Sequence, residues 1–399
     1  MKKSLLASTA LVGAALLAAP ASAGTVGSKD DMAVSLAGAV IFSVNLKDQD
    51  RSAGRGRGYN FNVNETEVHV NASNTADNGI KYGVSIEFNA GGGDTTVADE
   101  VWAFIDSEVW GRIEMGDQDD ATNVMQVGSW NAHKGWGGPI GGLAMPSNWG
   151  TLGGETLNMR ADWQPLTTND ETKVVYFSPR FEGFQIGASL TPDTGEISGQ
   201  PATLDTDNDG DWNNVMDIGV NYAGKFDEVG VGFSIGYQWG EGESASGASH
   251  VEEDLEILGI GGRVDFAGFT IGAHYRDYGD TGLTSANARL GADQGTQWSV
   301  GVGYGAGPWG ISAWYLTAEK NNTSTSPSAA RTTEVTRFGL GAGYNVAPGW
   351  LLRADIEWLD HQNIGGTRTG SIATVTPTGV GTTTDNDGTA FMLTNLFSF

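Results

Sequence analysis

Thr389-Ala-Phe-Met-Leu-Thr-Asn-Leu-Phe-Ser-Phe399 stands last in the sequence. Phe391, Leu393, Phe397 and Phe399 share one parity, and Asn395 alone breaks the row. Side chains alternate between the two faces of a strand, so the spacing predicts a strand with one apolar face. No polar tail follows Phe399 to solvate an end. Such a strand needs a partner edge and an apolar medium against its face. It is either an edge strand on a soluble core or the strand that closes a membrane barrel against the first one.

Working outward, the same alternation recurs in segments of about ten residues. Val34, Leu36, Val40, Phe42, Val44 and Leu46 face one way, with Ser35, Ser43 and Asn45 opposite. Val231, Phe233, Ile235, Tyr237 and Trp239 oppose Gly232, Ser234, Gly236 and Gln238. Further copies fall at Tyr82–Phe88, Phe184–Leu190, Phe269–Arg276, Trp298–Tyr304, Arg337–Tyr344 and Trp350–Trp358. No helical stripe of comparable length is present, so the chain reads as all-β.

The connections alternate in length. Seven short polar turns, such as Ser107–Gly111 and Gly305–Pro308, interleave with eight long loops, such as Asp117–Glu171 and His361–Gly388. Fifteen connections imply sixteen antiparallel strands, with short turns on one rim and long loops on the other. The apolar rows carry Tyr222, Trp239, Tyr304, Trp309, Tyr344, Trp350 and Trp358 near strand ends, as interfacial girdles do. The opposite rows carry Glu65, Glu67, His69, Glu87, Arg263, His274, Arg276, Arg337 and Arg353, which suits a water-filled lumen. A transmembrane β-barrel is the expected fold.

Composition agrees. Met1-Lys-Lys3, the apolar Leu5–Ala19 and Ala21-Ser-Ala23 predict a signal peptide over residues 1–23 and a single barrel domain over residues 24–399. There is no cysteine, and Gly, at 60 of 399, is about twice its usual share. Without Lys2 and Lys3, 20 basic residues face 48 acidic ones, which excludes nucleic acid as a natural partner.

Lys173-Val-Val-Tyr-Phe-Ser-Pro-Arg-Phe-Glu-Gly-Phe-Gln-Ile-Gly-Ala-Ser-Leu190 is a strand–turn–strand, and Gly111-Arg-Ile-Glu-Met-Gly-Asp-Gln118 leads into the long third loop. With the terminal Phe399, these segments resemble the sixteen-stranded, trimeric general porins of Gram-negative bacteria. The resemblance spans essentially the whole mature chain, although the third loop lacks the Pro-Glu-Phe-Gly-Gly-Asp run of enteric members. It implies a third loop folded into the lumen and a homotrimer in contact near the first and last strands. It also implies an outer-membrane setting among lipid and lipopolysaccharide, and passive diffusion of small hydrophilic solutes and ions. No cofactor is required. Substrate preference for sugars, with loop tryptophans Trp130, Trp136, Trp149 and Trp163 as a stacking platform, is the rival reading. A barrel-anchored surface protein is another.

Two enzyme-like motifs are discounted. Gly232-Phe-Ser234-Ile-Gly236 has the letters of a nucleophile elbow but lies within an alternating strand. Gly305-Ala-Gly307-Pro-Trp-Gly310 fits a dinucleotide pattern but precedes a strand. The five histidines show no metal spacing. Asp205, Asp207, Asp209 and Asp211 alternate around Gly210, a spacing that can wrap Ca²⁺ in a long loop or simply be a solvated acidic turn. For the pore constriction, Asp117, Asp119 and Asp120 at the root of the third loop, beyond Arg112 and Glu114, are expected to face Arg263, Arg276, Arg337 and Arg353. Weak cation selectivity follows from the acidic excess. The alternative is that the arginines pair with neighbours such as Asp355 and Glu357.

Overall fold

Strands that are apolar on one face and polar on the other can bury neither face alone, and in a bilayer no backbone N–H or C=O can be left without a partner. A closed ring satisfies both constraints. The computed structural model describes residues 32–49, 58–90, 98–139, 168, 170–194, 212–242, 253–322, 331–364 and 384–399. Within them lie sixteen strands in one closed antiparallel barrel, each paired with its sequence neighbours and the last with the first. They are β1 (Ala33–Gln49), β2 (Tyr59–Thr75), β3 (Lys81–Asn89), β4 (Ala98–Ser107), β5 (Gly111–Asp117), β6 (Thr172–Phe177), β7 (Phe184–Asp193) and β8 (Trp212–Phe226). The circuit continues with β9 (Val229–Gly242), β10 (Leu255–Phe266), β11 (Phe269–Asp277), β12 (Asp293–Ala306), β13 (Trp309–Asn322), β14 (Arg331–Ala347), β15 (Trp350–Ile364) and β16 (Thr384–Ser398). Among the described residues, three short helical turns, Ala121–Met125, Ser129–Ala132 and Ser285–Arg289, lie in the connections. No described helix is long and apolar enough to cross a membrane, which leaves crossing by strands untouched.

The closing strand behaves as its alternation predicts. β16 pairs with β1 from Ala39↔Ser398 to Gln49↔Gly388. Beyond the last ladder pair, Phe399 and Gly38 exchange two backbone hydrogen bonds of 3.0 Å. Phe391, Phe397 and Phe399 face outward and are exposed, while Met392, Thr394 and Leu396 are buried inside. Asn395, the break in the apolar row, accepts a hydrogen bond from the Trp350 indole at 3.3 Å. It is therefore a partner for the aromatic belt rather than an exception to the outward face.

That belt is built from cross-strand pairs. Trp309 meets Tyr344 at 4.1 Å between ring centroids, Phe269 meets Tyr304 at 4.6 Å, and Phe184 meets Tyr222 at 4.7 Å, all at the short-turn rim. Towards the long loops, Trp298 packs on Tyr315 at 5.1 Å and Phe338 on Trp358 at 5.4 Å. On β9 the aliphatic and aromatic residues Phe233, Ile235 and Tyr237 are exposed, and Ser234 and Gln238 between them are buried. The exterior is thus apolar and the interior carries the polar groups, the reverse of a soluble protein.

Candidate functional site

The long connection between β5 and β6 decides what occupies the interior. Its described stretch over residues 118–139 does not span the opening as free chain. It runs as a ledge along the inner wall and touches β6 through β15 in turn. The ledge starts with Asp120, whose carboxylate caps the helix Ala121–Met125 by accepting from Asn123 N at 2.8 Å and Thr122 Oγ1 at 2.6 Å. On β8, Asp217 accepts from Thr122 N at 3.0 Å, and Asn221 donates to Met125 O at 2.6 Å. On β9, Ser234 accepts from Val127 N at 2.9 Å. The Ser129 and Ser299 hydroxyls meet at 2.7 Å on β12, and Lys134 N donates to Ser312 on β13 at 2.9 Å.

The tip is fastened by one carboxylate. Asp355 on β15 accepts from His133 Nε2 at 2.8 Å, from Trp136 N at 2.8 Å and from Gly137 N at 3.2 Å. Arg337 on β14 reaches Gly138 O at 3.2 Å, at a glycine whose φ of +85° turns the chain. Backbone can approach the wall this closely only where the wall has no side chain. A methyl group built on Gly301 would stand 2.7 Å from Ser129 O. Gly261, Gly272 and Gly303 likewise face the carbonyls of Val127, Gly128 and Ala132. The glycines that alternate with outward apolar residues therefore make a track for the ledge. Sequence reading registered them only as the polar side of each strand.

The two ends of the ledge differ in charge. At its root, Asp119 lies with Asp170 and with Glu100 of β4, their ligand-type oxygens within 4.8 Å of one another. Burial, followed by Asp170 and Asp120, pushes Asp119 up to about 8. Glu171 is pushed up to about 7, again mainly by burial, with Lys173 opposing. Lys173 is buried and donates to the carbonyls of Gln118 and Glu171. Further along the same wall come Glu87 and Glu67, on either side of His69. On the opposite wall Lys134 is depressed by burial, with Asp265 raising it and Arg353 and Arg263 lowering it further.

This geometry corrects part of the expected constriction. Asp120 is fully buried and spent on capping, and Asp117, also buried, accepts from Thr172 at 2.5 Å. Arg276 and Arg337 are buried too, and show no open charge to the lumen. Arg337 pairs with Glu357 and stacks on Trp314, while Arg276 reaches Tyr278 at 3.2 Å. Arg112 pairs with Glu114 and lies 4.0 Å over the Phe104 ring. Arg263 pairs with Asp265 at 3.5 Å, and Arg353 donates to Asn345 at 3.3 Å. Neighbour pairing thus accounts for Arg112, Arg263 and Arg337, although Asp355 goes to the ledge and to none of them. The acidic group that does assemble includes Glu100 and Asp170, which sequence reading missed because they meet only across the root of the loop.

Two tryptophans of the loop are packing residues. Trp130 is buried with Trp314 and Leu316, its ring 5.0 Å from His274. Trp136 covers an apolar stretch of inner wall formed by Ala318, Val335, Leu359, Ala390 and Met392. That stretch is a departure from the uniformly polar lumen expected from alternation. Trp149, Trp163 and the acidic run Asp205, Asp207, Asp209 and Asp211 lie outside the described residues.

A family model of the Gram-negative porins matches residues 7–363. The chain belongs to the Gram-negative porin family. Solved structures agree on the fold at low identity. A porin refined at high resolution superposes with a TM-score of 0.55 at 17% identity, covering 92% of this chain and 100% of that one. OmpT of Vibrio cholerae, an outer-membrane protein described in trimer form, gives 0.58 at 15% identity over 93% and 100%. A variant of the Rh. blastica porin gives 0.55 at 15% identity over 92% and 100%. No curated protein sequence matches significantly. Family and barrel together make this porin an outer-membrane diffusion channel, and they point away from an enzyme.

Proposed function

We propose that the porin passes small hydrophilic solutes by passive diffusion, with a weak preference for cations. The observation that carries the preference is the acidic wall at the root of the ledge. Glu67, Glu87, Glu100, Asp119, Asp170 and Glu171 gather there around His69 and Lys173. Fixed carboxylates beside a water-filled path raise the local cation concentration and lower that of anions. Lys134 and Arg353 on the far wall complete a transverse field that orients dipolar solutes. The ledge takes up cross-section and so limits solute size.

Export by cleavage after Ala23 and assembly as a homotrimer belong to the same proposal. The outward aromatics of β1, β2 and β16 would meet neighbouring subunits, and the remaining belt would meet lipid and lipopolysaccharide. Diffusion of this kind is not catalytic and needs no cofactor. Calcium at Asp205, Asp207, Asp209 and Asp211 is an accessory ligand that their alternation favours.

The deciding measurement is the reversal potential of a planar bilayer under a salt gradient. Wild type should select cations at about 0.1 M salt and much less at about 1 M, where the screening length falls to about 3 Å. At about pH 9, above the range in which Asp119 keeps its proton, replacing Glu100 by Gln and Asp119 by Asn together should move selectivity towards anions. A double variant that selects like wild type removes the acidic wall from the conduction path.

A further inference from the structure

Within the acidic wall, Glu67, His69 and Glu87 form a cluster whose mixed donor set passive diffusion does not require. They sit on two adjacent strands. Glu67 and His69 are two residues apart on β2 and so share a face, and His69 stands directly opposite Glu87 on β3. His69 Nε2 lies 3.1 Å from Glu67, and Nδ1 lies 3.0 Å from Glu87. Ligand-type atoms of all three residues fall within 4.8 Å of one another. Each side chain is about one-fifth exposed, so an ion can arrive from the lumen and keep some of its water.

We propose that this cluster is a binding site for a divalent transition metal of the Zn²⁺ type. The mixed donor set is the reason. Carboxylates alone suit Mg²⁺ and Ca²⁺, whereas imidazole adds preference for Zn²⁺, Cu²⁺ and Ni²⁺. The arrangement also supplies the orienting partner that metal-bound histidines need. With the ion on Nε2 and on a Glu67 oxygen, Glu87 accepts the Nδ1 proton and fixes the ring and its tautomer. Water fills the remaining positions. The ion takes the place of the proton shared between Nε2 and Glu67, so binding releases that proton to solvent.

The surroundings favour a cation and no competing anion. On β1, Ala37 and Ala39 are the residues paired with His69 and Glu67. On the other side lie Glu100 and Asp99 of β4; Glu87 acts on Glu100, and Asp99 accepts from Asn89 at 2.9 Å. Strand pairing holds the two ligands and the orienting Glu87 in register whether or not an ion is present, so the site needs no rearrangement of the barrel.

Isothermal titration of tag-free protein in detergent with Zn²⁺ tests this. One ion should bind per chain, with a heat that varies with the ionisation enthalpy of the buffer as about one proton is released. His69→Gln and Glu67→Gln should abolish that event, and Glu87→Gln should weaken it about tenfold, as loss of an orienting partner does. Unchanged Zn²⁺ binding by His69→Gln overturns the proposal, because the ion is then held by the nearby carboxylates. Competition by Mg²⁺ at equal concentration overturns it too. Should the variants fail to fold, X-ray absorption at the zinc edge of wild type decides. An imidazole nitrogen in the coordination shell supports the site, and an oxygen-only shell refutes it.

Discussion

The two ends of the ledge show what a buried carboxylate can be used for. At the tip, Asp355 is a lone acid matched by three donors from His133, Trp136 and Gly137. At the root, Asp119 is crowded by Asp170 and Asp120 and accepts from the Asn123 side chain at 2.5 Å. A satisfied buried charge fixes a chain in place, and removing it leaves its partners stranded. Crowded carboxylates repel, hold protons, and change charge near neutral pH. One end of the ledge is therefore mechanical and the other electrostatic.

The hardest test of this contrast is Asp355→Ala. Three donors lose their acceptor at once, which should destabilise the fastened ledge by on the order of 3 kcal/mol. Lys134, held against β13 in the native protein, should become a new trypsin site, and channel noise should rise. An uncut Lys134 with an unchanged melting temperature would show that the tip is held by packing instead.

Gly303→Leu asks the same question from the wall. A side chain there meets Ala132 O, so the middle of the ledge must shift. Overpacking of this kind costs about 1–3 kcal/mol. The expected result is a lower melting temperature and altered conductance, with cation selectivity retained because the root is untouched. Loss of selectivity in this variant would erase the distinction between the two ends.

The root should respond to pH where the tip does not. Asp119, at about 8, and Glu171, at about 7, are raised above the ordinary carboxyl range. The folded chain thus keeps protons that the unfolded chain has already released. The stability they confer is complete below about pH 4 and is lost as pH rises through 7 to 8. Cation selectivity should increase over that same interval as the charges appear. Asp119→Asn should flatten both curves, and a wild-type reversal potential constant from pH 5 to pH 9 would contradict the assignment.

The smallest effect is expected in the acidic run of the loop between β7 and β8. Millimolar Ca²⁺ should raise thermal stability slightly over chelator, and Asp205, Asp207 and Asp209 changed together to Asn should remove the gain. If wild type gains nothing, that run is a solvated loop and has no part in holding charge.

Much of the barrel was legible in the residues because a strand's alternation is local. Phe233, Ile235 and Tyr237 against Ser234 and Gln238 specify two faces whatever the rest of the chain does. Turn lengths are local as well, so the count of sixteen strands and the pairing of β16 with β1 could be expected before any coordinates. Aromatic residues at strand ends marked both interfaces for the same reason. The alternation also marked an inward face without saying what would cover it. Val335, Leu359 and Met392 were therefore not foreseen as an apolar patch inside the barrel.

What sequence alone determined about this porin was its compartment, its strand count and the side of the wall on which each residue stands. Which charges meet was decided by tertiary structure. Arg337 with Glu357, Asp355 with His133, and Glu100 with Asp119 and Asp170 depend on register between strands and on the path of a loop between them. Parity assigns a face but not a height or a partner. Electrostatic interaction falls with distance through space, and separation along the chain does not measure that distance.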